Sequence, residues 1–140
     1  MIVLDASVAV KWYAIEPFTR EALGLLRELH DNITVPDIFI SEVIGALVRH
    51  ANIDKSLRSA STESVGRFAS LFDDKWILAE RTDPRQMERA SQLALDLGHP
   101  LKDCIYLALA MELGCDLVTC DARFAAKAKG VWAGVRVLGA

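Results

Sequence analysis

The sequence predicts an α/β fold, a three-layer α/β/α sandwich around a central, mostly parallel sheet, in a single domain spanning residues 1–140. Three observations carry that expectation. Short apolar runs without alternation, such as Ile2-Val3-Leu4 and Leu117-Val118-Thr119, read as strands buried on both faces. Segments with apolar residues at helical spacing separate these runs, and strands joined through helices pair in parallel. Two of the runs end in an aspartate, Asp5 and Asp121, at the sheet edge where open α/β folds bind ligands.

A chain of 140 residues suits one domain and can enclose a core without staples. Hydrophobic residues at 52% against 25% charged argue against disorder. No apolar run approaches the roughly 18 residues of a membrane span. The opening run is too short for a signal sequence, so a cytoplasmic protein with no membrane partner is expected. Cys104, Cys115 and Cys120 form no CxxC pair and read as small buried apolar residues in a reducing compartment. The net charge of −3 gives no general affinity for polyanions. Divalent ions on a carboxylate cluster would add positive charge that this count omits.

In chain order, Asp5 ends the first strand, and Ser7 to about Tyr13 makes a short helix that Glu16-Pro17 breaks. Thr19 begins an amphipathic covering helix in which Phe18, Ala22, Leu25, Leu26 and Leu29 recur at helical spacing. Ile33-Thr34-Val35 is the second strand, ended by Pro36 and Asp37 as a third helix begins. On that helix Ile40, Val43, Ile44, Leu47 and Val48 line one face, and Glu42, Gly45, Ala46 and Arg49 share another. The second stripe is either a solvated charged face or a wall of the crevice that Asp5 borders. A helical hairpin follows from Asp54 to Phe72, then a third strand at Trp76-Ile77-Leu78. Asp83-Pro84 is a cap and first-position signal for a helix that Gly98 stops.

The stretch from Leu101 to Met111 is nearly all apolar past its first turn, as in a buried central helix. Asp103 lies in that first turn, where capping is the simplest explanation and the helix dipole favours an ionised carboxylate. A further strand runs into Asp121, and Val135-Arg136-Val137-Leu138 is the last. Asp5, Glu42, Asp103 and Asp121 are thereby expected to converge on one end of the sheet. Crowded carboxylates raise one another's pKa until protons or cations compensate. Oxygen donors without Cys or His at metal spacing suit a hard ion, Mg²⁺ or Mn²⁺. Such a centre activates water for in-line phosphodiester cleavage, with the Ser7 and Thr119 hydroxyls orienting the acids.

The ordered set of Leu4-Asp5-Ala6-Ser7, Glu42 on the helix after a proline, Asp103 before Tyr106-Leu107-Ala108-Leu109-Ala110, and Leu117-Val118-Thr119-Cys120-Asp121-Ala122-Arg123-Phe124 resembles a PIN domain. More narrowly, it resembles the VapC toxins of bacterial and archaeal toxin-antitoxin pairs, over essentially the whole chain. The resemblance implies an endoribonuclease in which Asp5, Glu42, Asp103 and Asp121 are catalytic and bind Mg²⁺ or Mn²⁺, with Ser7 and Thr119 hydrogen-bonded to them. It also implies a structured RNA substrate, a small antitoxin that blocks the site, and a homodimer. Many members carry an Asn one turn after the glutamate; Gly45 stands in that place here. The acidic balance requires a local RNA surface, for which Lys11, Arg49, Lys102, Arg123, Lys127 and Lys129 are candidates by their nearness to the acids in sequence.

Trp12, Tyr13 and Trp132 read first as core aromatics, and only second as groups that stack a base or line an antitoxin groove. His99 is close to Asp103 in sequence, but none of His30, His50 and His99 makes a triad with Ser or Cys. A phosphoacceptor signalling domain also gathers aspartates with Mg²⁺, but needs an Asp ending a central strand and a Lys ending a late one. Here the third strand runs into Ala79-Glu80-Arg81 and the late one into Asp121. The remaining alternative is a non-catalytic binding module whose acids are helix caps and turns.

Overall fold

A computed structural model describes residues 1–140. The apolar runs and the periodic segments alternate as β1 (Ile2–Leu4), α1 (Ala6–Val10), α2 (Thr19–Leu29), β2 (Ile33–Pro36), α3 (Ile38–Ile53), α4 (Arg58–Asp73), β3 (Ile77–Glu80), α5 (Pro84–Leu97), α6 (Leu101–Leu113), β4 (Asp116–Thr119), α7 (Ala122–Ala128) and β5 (Val135–Val137). All five strands pair in parallel in the order β3-β2-β1-β4-β5. Unalternating sequences belong where both faces are covered, and every residue of β1 and β2 is buried. At the edge, β3 buries only Ile77.

The winding runs outward from β1 through β2 to β3, then returns past β1 to β4 and β5. Right-handed crossovers place helices from the two directions of winding on opposite faces, which builds the three layers. The direction reverses between β1 and β4. At such a reversal the loops leaving adjacent strands part, and a crevice opens beyond the carboxyl ends. The register pairs Leu4 with Val118, so Asp5 and Thr119 follow at the same level.

Helix α6 packs against β1, β2 and β4 and buries every residue from Cys104 to Ala110. That burial explains its uniform apolarity. Gly98 and Gly114 end α5 and α6 in the left-handed region at φ 59° and 65°, a conformation without penalty for glycine. At the start of α5, Asp83 accepts from the Gln86 N–H at 2.8 Å and the Gln86 side chain returns a bond to the Asp83 N–H. An Asp83→Ala chain should therefore lose about 1 kcal/mol in urea unfolding.

The stretch from Asp54 to Phe72 forms one long helix, α4, after a short turn rather than a helical hairpin of its own. Strand β2 runs on through Pro36, and three further boundaries differ from the sequence reading. Helix α1 stops at Val10 rather than Tyr13, because Trp12 turns into the core and its Nε1–H donates to the Ala22 carbonyl at 2.9 Å. Strand β3 runs Ile77–Glu80 rather than from Trp76; the Trp76 ring instead stacks on His30 with centroids 4.5 Å apart. The Glu80 carbonyl holds that end by accepting from the Asp37 N–H at 2.9 Å. Strand β5 ends at Val137, although the Leu138 N–H still donates to the Thr119 carbonyl at 2.9 Å. Trp132 is a structural residue too, its Nε1–H donating to the Cys115 carbonyl at 3.0 Å.

Candidate active site

The strand ends and the starts of three helices border one crevice of about 520 Å³. Asp5, Glu42, Asp103 and Asp121 all line it, together with Ser7, Lys11 and others. Asp5 leaves β1 with its N–H still bonded to the Val118 carbonyl at 3.0 Å, so the strand fixes its backbone. It occupies the N-cap position of α1 but its carboxylate caps no backbone N–H. Instead Oδ2 accepts from the hydroxyls of Ser7 and Thr119. The Thr119 hydroxyl accepts in turn from the Asp121 N–H at 3.1 Å, and the Ser7 hydroxyl from the Cys120 N–H at 3.2 Å. Two hydroxyls thus tie the ends of β1 and β4 together around one carboxylate.

Glu42 lies one turn into α3. Its Oε1 accepts from the Tyr106 hydroxyl at 2.6 Å and its Oε2 pairs with Lys102 Nζ at 3.1 Å. Asp103, in the first turn of α6, also makes no cap; its Oδ2 meets His99 Nε2 at 2.6 Å. Asp121 does cap its helix, Oδ1 accepting from the Phe124 N–H at 3.0 Å. The capping explanation therefore accounts for one of the four acids, and for one oxygen of it. Asp103 and Asp121 come closest together, with ligand atoms within 4.8 Å of one another and of a His99 ring nitrogen. Asp5 and Glu42 face the same crevice without joining that tight group.

Burial raises the Asp5 pKa above the usual carboxylate value, and the charges of Asp103 and Glu42 raise it further against the lowering effect of the Ser7 and Thr119 hydrogen bonds. The crevice thus disfavours the ionised form of Asp5. Hydrogen bonding to Glu42, followed by the attraction of that charge, raises the Lys102 pKa and keeps its ammonium charged. This donor set, rich in carboxylate oxygen and without thiolate, fits a hard divalent cation. Cys120 lines the crevice, but burial raises its thiol pKa and removes it as a ready nucleophile.

Residues 2–130 match the family model of the PIN domain. The chain belongs to the PIN-domain family. Among relatives of this PIN domain, Ribonuclease VapC12 of Mycobacterium tuberculosis is 36% identical over 126 residues, covering 89% of this chain and 90% of that protein. PAE2754 from Pyrobaculum aerophilum shares the fold with a TM-score of 0.73 at 19% identity, over 98% of this chain and 88% of that one. A toxin-antitoxin complex from Klebsiella pneumoniae contains a chain of the same fold, with a TM-score of 0.64 at 18% identity over 97% and 96% of the two chains.

Of the basic residues proposed for phosphate contact, Lys11, Arg49 and Lys102 line the crevice of this PIN domain, and Arg123 does not. Arg123 is exposed on α7, one residue beyond the helix start. Lys127 is engaged with the Gly98 carbonyl at 3.1 Å. Lys129 borders a separate depression near β5. These three stand on α7 or at its end, outside the lining of the crevice. Glu16 and His50 line the crevice as well, and Glu16 pairs with Lys11 at 3.2 Å.

Tyr106 is the functional neighbour that sequence reasoning passed over. Its hydroxyl is the one polar tip in the apolar middle of α6, three residues and so about one turn beyond Asp103, which was the available signal. Burial, then the hydrogen bond and charge of Glu42, push its phenol pKa far up, so it stays a donor. Tyr106→Phe should cost about 1 kcal/mol in chemical denaturation and about 10-fold in cleavage rate through a less constrained Glu42.

Proposed function

We propose that this PIN domain is a Mg²⁺- or Mn²⁺-dependent endoribonuclease, the toxin of a toxin-antitoxin pair. The observation that carries the reading is the meeting of Asp5, Glu42, Asp103 and Asp121 in one crevice at the winding reversal, where burial and the charges of Asp103 and Glu42 raise the Asp5 pKa. The relative named Ribonuclease VapC12 matches over nine-tenths of its length, which supports RNA as the substrate.

Asp5, Glu42, Asp103 and Asp121 would hold the ion, which when bound supplies Lewis acidity toward water and toward the scissile phosphate. The Ser7 and Thr119 hydroxyls keep one Asp5 oxygen engaged and so orient the other. Tyr106 does the same for Glu42. Lys11 and Arg49 stand at the crevice wall to meet backbone phosphates. No Ser–His or Cys–His pair is hydrogen-bonded in the crevice, which leaves no activated side-chain nucleophile; in this reading water attacks, its oxygen bonding to phosphorus as the bond to the leaving ribose oxygen breaks.

An apolar groove of about 490 Å³, formed by Tyr13, Ile15, Leu47 and Leu57, adjoins the crevice and shares Glu16 and His50 with it. Ile15 is fully exposed there. A small antitoxin laid in that groove would reach the acids, and a homodimer is the assembly the family reading adds. The test is incubation of the purified chain, stripped of any bound partner, with total cellular RNA in Mn²⁺, Mg²⁺ or EDTA. Discrete fragments in the metal lanes alone are expected; equal cleavage in EDTA, or none in any lane, overturns the reading.

A further inference from the structure

We propose that His99 is a positioning residue for Asp103, the middle member of a chain Lys127–His99–Asp103 that presents this carboxylate to a divalent ion. The inference rests on the metal-centre reading above. It concerns a residue that the four-acid pattern leaves out.

The geometry starts from two helix beginnings. His99 and Pro100 form the short link from α5 to α6, so His99 is four residues before Asp103, and its Nε2 stands 2.6 Å from Asp103 Oδ2. The imidazole side chain is only 9% exposed, and its face rests on the Phe124 ring with centroids 4.7 Å apart. Phe124 is itself buried, and its N–H is the donor that Asp121 caps. One residue of α7 therefore supports the histidine with its ring and an acid with its backbone. One turn further along α7, Lys127 Nζ donates to the Gly98 carbonyl at 3.1 Å and lies 3.4 Å from His99 Nδ1.

This arrangement decides the role of the ring. An ammonium group has only donors, so the nitrogen facing it must be the acceptor, and the ring hydrogen sits on Nε2. Nε2–H then donates to Asp103 Oδ2 and leaves Oδ1 for an ion. Direct ligation by Nε2 would move the hydrogen to Nδ1 and set donor against donor at Lys127. A carboxylate held by such a bond has fewer orientations to lose when it takes a cation, and outer partners of this kind are worth about 10–100-fold in metal affinity.

The test is Mn²⁺ titration of the full chain by calorimetry, with metal-free melts of every variant run beside it. His99→Leu removes the donor and keeps an apolar body against Phe124, and should weaken Mn²⁺ binding about 10–100-fold. His99→Gln replaces the Nε2 donor with an amide N–H, and should bind within about 3-fold of the parent by that same reasoning. Lys127→Met should weaken binding less than His99→Leu. Parent-like binding by His99→Leu overturns the proposal. So does an equal loss in His99→Gln and His99→Leu, the pattern of a direct ligand or of packing alone. If the parent binds no Mn²⁺, the metal-centre reading fails and takes this one with it, an outcome visible before any variant is compared.

Discussion

Replacing Asp5 with Asn should lower metal-dependent RNA cleavage by at least about 10²-fold while raising the melting temperature of the metal-free protein. The two effects have one cause. Burial and the charges of Asp103 and Glu42 oppose ionisation of Asp5 in the folded state, so its carboxylate is held there against a cost. The amide keeps the shape and still accepts from Ser7 and Thr119, but it carries no charge to desolvate or repel. A gain of about 1 kcal/mol corresponds to about 3–5 °C for a domain of this size. Because the folded pKa is raised, the contribution of Asp5 to stability is fully present below its unfolded pKa and is lost as pH rises through the folded value. The advantage of the variant should therefore be largest at neutral and alkaline pH and shrink on acidification. Paired melts of parent and variant across pH check the sign: a variant less stable than the parent at neutral pH would show that Asp5 is a structural acid.

Addition of Mn²⁺ should produce the largest stability change available to this chain. A ligand that binds only the folded state stabilises by about 2.7 kcal/mol at a concentration 100 times its dissociation constant, or about 8–13 °C here. Glu42→Gln and Asp103→Asn each remove one donor from the crevice, and each should require at least about 10-fold more Mn²⁺ for the same rise. Differential scanning fluorimetry over a metal series measures this directly. A non-catalytic module whose acids are caps predicts no shift in any of the three proteins. Asp121 is the acid for which that view has structural support, since one oxygen already bonds the Phe124 N–H.

The legible parts of this molecule were those governed by local pattern. Unalternating apolar runs gave the central strands because burial on both faces leaves no polar position, and Asp83, Pro84 and Gly98 marked α5 because capping chemistry is short-range. The four acids were readable as an ordered set, since strand ends and first helical turns are where this topology opens its crevice. What escaped was lateral. Trp12 cut α1 short because its partner, the Ala22 carbonyl, belongs to another helix. The pairing of Glu42 with Tyr106 spans 64 positions, and no periodicity reports it. His99 was visible beside Asp103, but its orientation depends on Phe124 and Lys127 from α7. Arg123 lies outside the crevice lining for a related reason, because two residues along a helix start are about 200° of rotation away from the acid.

The most direct test of the account is diffraction from crystals of the metal-stripped chain soaked in Mn²⁺, with data collected for anomalous signal. The account predicts a peak in the crevice between β1 and β4, coordinated by Asp5 and at least one of Glu42, Asp103 and Asp121, with Lys102 displaced from Glu42. A crevice without a peak at saturating Mn²⁺, or an ion bound only at some other surface, would contradict it.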